Sequence, residues 1–269
     1  MMNGLLKKSL SCLALGCTFA TVPVAQAADA PAMVLVHGAH FTATAWERVQ
    51  AQLGDRIDSH AIDLPGRNDH FLPEKVSLEL SAASLCSFMS TIPGDKVVVA
   101  HSQGGAVVNA SLSLCPDENI SKLVYVTAVA PLDGEGVFSK LSEADETYYF
   151  AGVSFNEQAM RMDISNPDSF ANSFAQDANA EQQRWLKQQA VAEPALIGEG
   201  TIDLNRERFE ALEKYYVFAK RDQIISLESQ QRTAGDLDLA ASFEIDSGHL
   251  PMLTHSKTLA DLLVRISER

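Results

Sequence analysis

Residues 96–105 read K-V-V-V-A-H-S-Q-G-G. Val97, Val98 and Val99 form an unbroken β-branched run, as in a strand buried on both faces of a parallel sheet. Polar and glycine residues follow at once, and Ala106, Val107, Ala110 and Leu114 then recur at helical spacing. Ser102 is therefore expected where a strand turns sharply into a helix, the setting of a nucleophile elbow. Such a turn brings two backbones close together and needs small residues two places before and after the serine. Ala100 and Gly104 fill those places, with Ala100 standing where glycine is commoner. The turn aims the backbone N–H of Gln103, at the helix start, toward a developing oxyanion.

Upstream of this stretch, Met33 to Val36 reads as a short apolar strand ending in His37-Gly38-Ala39-His40, and Trp46, Val49 and Leu53 follow at helical spacing. The backbone N–H of Ala39 is the candidate second oxyanion donor. His37 and His40 are spaced i, i+3 across a glycine turn, which fits turn stabilisation better than a metal pair. Ser59 to Ile62 is a further strand. The turn after it, Asp63-Leu64-Pro65-Gly66-Arg67-Asn68-Asp69, makes Asp63 and Asp69 turn formers, with Arg67 and His70 on an exposed turn near the site mouth. Ser77 opens a helix that Pro93-Gly94 stops.

Downstream, Leu123 to Val126 is another buried strand ending at Thr127-Ala128. This alternation of strand and helix predicts a doubly wound, mostly parallel sheet with its chemistry at the C-terminal strand ends. From 131 to 213 the pattern changes: Phe150, Phe155, Met160, Met162, Phe170, Phe174 and Trp185 sit among polar residues, with helical stretches and no clear strand. This segment is read as a helical cap inserted into a core of residues 28–130 and 214–269. The sheet resumes at Tyr215 to Ala219, followed by Asp222, and a last strand, Ala241 to Ile245, is followed by His249. Ser102, Asp222 and His249 thus appear in the chain order serine, acid, base, with the two late residues at strand ends. The chemistry needs all three types: a serine hydroxyl is too weak an acid to attack unaided, an imidazole can take and return its proton, and a carboxylate fixes the imidazole tautomer.

The formal charge of −14 over 269 residues argues against electrostatic affinity for nucleic acid or an anionic membrane. Lys7 and Lys8, the apolar run from Leu10 to Val24 and Ala25-Gln26-Ala27 read as a cleaved signal peptide over 1–27, so a periplasmic or secreted chain is expected. A rival reading makes Cys17 a lipid-attachment cysteine, although Ala14 stands where a lipobox carries leucine. No later apolar run is long enough to span a bilayer. Cys86 and Cys115 remain in the mature chain, either as a disulfide or as two buried thiols.

Taken together, V-L-V-H-G-A-H with Ala45-Trp46, D-L-P-G at 63–66, A-H-S-Q-G-G, A-K-R-D-Q-I-I and S-G-H-L-P-M-L resemble the α/β-hydrolase superfamily. Within it, the chain is similar to the branch of plant methylesterases, hydroxynitrile lyases and related bacterial esterases. The resemblance implies Ser102 as nucleophile, His249 as base, Asp222 as its acid partner, the amides of Ala39 and Gln103 as oxyanion hole, and no cofactor. Hydroxynitrile lyases of the branch carry a threonine after the histidine of the first motif and a lysine after the catalytic histidine, where this chain has Gly38 and Leu250. The expected function is therefore a serine hydrolase cleaving small-molecule carboxylic esters through an acyl-enzyme. The alternatives are a lyase using the same triad and a non-catalytic binding protein that retains the fold.

Overall fold

The computed structural model describes residues 30–67 and 72–269; the expected leader, Cys17, Asp69 and His70 lie outside the described residues. Strands β1 (Ala32–Val36), β2 (Ser59–Ala61), β3 (Lys96–His101), β4 (Ile120–Val126), β8 (Glu213–Ala219) and β9 (Leu239–Ile245) form one sheet in the order β2-β1-β3-β4-β8-β9. Every neighbouring pair in it runs parallel. The order reverses direction at β1 and β3, which distributes the crossover helices over both faces. Helix α1 (Glu47–Leu53) packs on the C-terminal helix (Ser256–Ser267), and α2 (Leu78–Met89) packs on α3 (Gly104–Leu114). All of β1 and β3 is buried, including Val97, Val98 and Val99 at full burial, which is why the valine run lacks the polar alternation of a one-sided strand. Cys86 and Cys115, at the C-terminal ends of α2 and α3, are joined in a disulfide.

The expected turn at Ser102 has a measurable cost. Ser102 has φ 53°, a left-handed conformation that L side chains rarely adopt. Its carbonyl accepts from the N–H groups of Gly105 (3.1 Å) and Val129 (3.2 Å), which hold the turn closed. The glycines after it are there for space: a Cβ on Gly104 would lie 2.7 Å from the His37 carbonyl oxygen, and one on Gly105 would lie 2.0 Å from the Val129 carbonyl oxygen. Backbone atoms cannot step aside as a flexible side chain can. Gly105→Ala is therefore expected to cost about 3 kcal/mol or more, a fall in melting temperature of roughly 10 °C for a domain of this size. A thermal melt reads it directly, and a midpoint within a degree or two of wild type would contradict the packing described.

Between β4 and β8 the chain adds α4 (Glu143–Phe150), β5 (Val153–Asn156), β6 (Arg161–Ile164), α5 (Pro167–Phe174), α6 (Ala180–Gln189), β7 (Glu193–Pro194), α7 (Ala195–Gly198) and α8 (Arg206–Ala211). The expectation of a strandless insertion is corrected here, because β5, β6 and β7 make a three-stranded antiparallel sheet. Val153 pairs with Ile164 and Phe155 with Met162, so the period-2 signal exists, but β5 and β6 are four residues long and mostly exposed or half-buried, and β7 has only two residues. No helix among the described residues is long and apolar enough to cross a membrane.

Candidate active site

Three C-terminal strand ends converge on one point. Ser102 follows β3, Asp222 follows β8 and His249 follows β9, and all three side chains are buried. His249 Nε2 lies 3.0 Å from Ser102 Oγ, and His249 Nδ1 lies 2.7 Å from Asp222 Oδ2. A carboxylate can only accept, so the imidazole proton sits on Nδ1 and Nε2 is left to accept from the serine hydroxyl. Asp222 is itself fixed: Oδ1 accepts from the N–H groups of Ile224 (2.7 Å) and Ile225 (3.0 Å), and Oδ2 accepts a second bond from Thr127 Oγ1. Thr127, at φ 37° just beyond β4, is a site residue that the sequence reading saw only as the end of a strand.

The two expected oxyanion donors flank the same point. Ala39 and Gln103 line one cavity with Ser102, and neither backbone N–H donates to an acceptor among the described residues. The first loop presses directly on the turn at Ser102, since a Cβ on Gly38 would lie 2.5 Å from Ser102 Cβ. A model of the alpha/beta hydrolase family matches residues 33–262. The chain belongs to the alpha/beta hydrolase family.

Its relatives are distant in sequence and close in shape. Methylesterase 7 of Arabidopsis thaliana is 24% identical over 250 residues, spanning 88% of this chain and 96% of that protein. A pyrethroid hydrolase from Sphingobium faniae superposes with a TM-score of 0.78 at 18% identity, over 88% of this chain and 97% of that one. An extracellular alpha/beta-hydrolase from a Paenibacillus species gives 0.72 at 21%, over 87% and 98%.

In this alpha/beta hydrolase the cavity at Ser102 measures about 420 Å³, and the insertion supplies most of its wall. Phe150, Phe155, Met162 and Phe174 line it, together with Tyr149 and Phe138. The aromatic residues of the insertion therefore divide: Phe170 is fully buried and stacks on Phe174 at 4.1 Å, and half-buried Trp185 lies under Arg48, so these two pack rather than line.

Arg67 departs from its expected exposed turn. Its side chain is 1% exposed and is paired with Glu193, itself 3% exposed, in the cavity wall. The partner stands 126 residues away, beyond any local reading. Burial pushes the Glu193 carboxyl up, against the pull of Arg67 and the N–H of His40. Two further carboxylates of the insertion grip the same end of the sheet. Asp145 accepts from the Ser226 N–H (2.8 Å) and the Ser229 hydroxyl, and Asp177 accepts from the Gly248 N–H (3.0 Å) and the Thr254 hydroxyl (3.1 Å). Burial raises the Asp145 carboxyl, but bonds from Ser229, Ser142 and Ser226 outweigh it and hold it low.

The other buried histidines among the described residues, His37, His40 and His101, are structural. His37 Nε2 accepts from the Leu64 N–H and its Nδ1 donates to the Gly38 carbonyl. His40 Nδ1 donates to Val191 and His101 Nε2 donates to the His249 carbonyl. Burial is the largest influence on all three and lowers each of them, His40 to about 4 from the ordinary 6.5. A histidine held neutral in the fold binds fewer protons than in the unfolded chain. Its contribution is therefore complete above pH 6.5 and lost as pH falls toward 4. His40 alone carries about 3 kcal/mol over that window; Glu193, pushed up by burial, acts in the opposite direction, and Asp145, held low, adds its loss only below the ordinary carboxylate range. Denaturation midpoints measured from pH 7 to pH 4 should fall steadily, and an unchanged midpoint would mean that these rings gain protons inside the fold.

Proposed function

We propose that this alpha/beta hydrolase cleaves carboxylic esters through an acyl-enzyme. The observation that carries the reading is the continuous relay Asp222–His249–Ser102, with its proton on Nδ1, opening into an apolar cavity. Ser102 Oγ attacks the ester carbonyl while His249 Nε2 takes its proton, and the oxyanion settles between the Ala39 and Gln103 amides. His249 then returns the proton to the leaving alcohol, and water activated by the same Nε2 hydrolyses the acyl-serine. Asp222 holds the tautomer and stabilises the imidazolium, and Thr127 holds Asp222. The plant methylesterase relatives support ester chemistry, and the aromatic cavity favours moderately sized, partly apolar esters. The lyase reading loses ground at position 38: a threonine there would carry its Cβ against Ser102. The disulfide supports export of the chain to an oxidising compartment after loss of residues 1–27.

A chain-length series of p-nitrophenyl esters, assayed beside the Ser102→Ala variant, tests the reading. Turnover that vanishes in the variant sustains it; turnover that survives the substitution removes Ser102 as nucleophile, and absence of turnover in the wild type returns the fold to the lyase or binding readings.

A further inference from the structure

We propose that Glu193 is a positioning residue for the oxyanion hole, a single carboxylate from the insertion that ties together the two loops whose amides receive the developing charge. The inference rests on the acyl-enzyme reading above and extends it to a residue outside the triad. Glu193 Oε2 accepts from the backbone N–H of His40 at 3.0 Å, one residue after the Ala39 donor. Glu193 Oε1 accepts from Gln103 Nε2 at 3.0 Å, on the residue that supplies the other donor, and from Arg67. One buried group therefore spans from the loop after β1 to the turn after β3.

The loop needs such an anchor. His40 has φ 67°, and a non-glycine residue held there costs on the order of 1 kcal/mol that its surroundings must offset. Four bonds hold it: the backbone N–H to Glu193, Nδ1 to the Val191 carbonyl at 2.9 Å, the Val191 N–H to the His40 carbonyl at 3.0 Å, and Tyr149 OH donating to Nε2 at 2.8 Å. Glu193 is fixed in turn by the small sheet, where it pairs with Met162 of β6. A buried ion pair is a poor source of stability and is commonly matched by apolar residues of similar volume. Its geometry here explains its presence: three donors from three separate segments converge on two oxygens, which only a carboxylate can satisfy. A glutamine would turn its own NH2 either on His40 N–H or on Arg67 and Gln103.

Two variants and a transition-state mimic test this. Glu193→Gln breaks one side of the clamp, and Gln103→Met frees the nucleophile turn while leaving the Arg67–Glu193 pair and both oxyanion amides in place. Losing an oxyanion donor outright costs about 10²–10³ in kcat, so loosening one is expected to lower kcat about tenfold, with KM within twofold of wild type. The inhibition constant of an aryl trifluoromethyl ketone, whose hemiketal oxygen sits where the oxyanion would, should rise by the same factor. If Glu193→Gln does not fold, Gln103→Met decides. Folded variants with an unchanged ketone inhibition constant, or with a raised KM alone, would overturn the positioning role. Should the ketone fail to form a Ser102 adduct in the wild type, the acyl-enzyme reading falls and this inference with it; failure of the inference alone leaves wild-type inhibition intact.

Discussion

Ester turnover by Ser102→Ala is expected to drop about 10⁴-fold or more, to the residual rate that binding and the oxyanion amides supply without a nucleophile. The effect is chemical rather than structural. Among the described residues the Ser102 side chain makes one bond, to His249, and its backbone is already locked by Gly105 and Val129. Alanine keeps the Cβ that packs against Gly38 and adopts φ 53° at the same cost as serine, so the melting temperature should stay within a few degrees. The loss should appear in kcat with little change in KM, and the burst of acyl-enzyme formation should disappear. A variant retaining more than a tenth of wild-type turnover would place the nucleophile elsewhere in the cavity.

Asp222→Asn is expected to lower kcat by about 10³–10⁴. Asp222 receives four donors: His249 Nδ1–H and Thr127 Oγ1–H on one oxygen, the amides of Ile224 and Ile225 on the other. An asparagine has one oxygen for these four, so either orientation sets its NH2 against two donors. If the NH2 faces His249, the ring escapes by moving its proton to Nε2, where it can no longer accept from Ser102. If it faces Ile224 and Ile225, the turn after β8 loses both of its anchors and the fold loses about 1–3 kcal/mol for each unsatisfied group. Pre-steady-state kinetics separate these, because the first outcome slows acylation in a protein of wild-type melting temperature. Full activity in a folded Asp222→Asn protein would break the assignment of the acid.

What could be read in advance was local. The valine run, the small residues around Ser102 and the strand ends before Asp222 and His249 are each set by neighbours within a few positions, where propensity and periodicity act. What escaped the sequence was set by partners far away in the chain. Arg67 follows Pro65-Gly66 and reads as a solvated turn until Glu193 is seen beside it. Thr127 gains its meaning only when β4 and β8 lie side by side, bringing its hydroxyl to Asp222. The sheet of β5 to β7 escaped because strands of two to four residues give periodicity too little length to stand out. Cys86 and Cys115 could be paired only once their Cα atoms were placed 5.7 Å apart.

The three buried carboxylates of the insertion make it a keystone rather than a door. Asp145 is bonded to the start of the helix after Asp222, Asp177 to the loop of His249, and Glu193 to the two loops beside Ser102. Swinging the insertion outward would break the bonds of all three and leave the loops around Ser102, Asp222 and His249 without them. Traffic is then expected past the aromatic side chains at the rim, where Phe138, Phe150 and Phe155 line the cavity and are 40–52% exposed. Rotamer changes of exposed side chains take picoseconds to nanoseconds, against microseconds or longer for domain movement. Passage of esters and alcohols is then limited by the bore of the opening, and enlarging one rim phenylalanine changes which molecules are admitted without touching the machinery beneath.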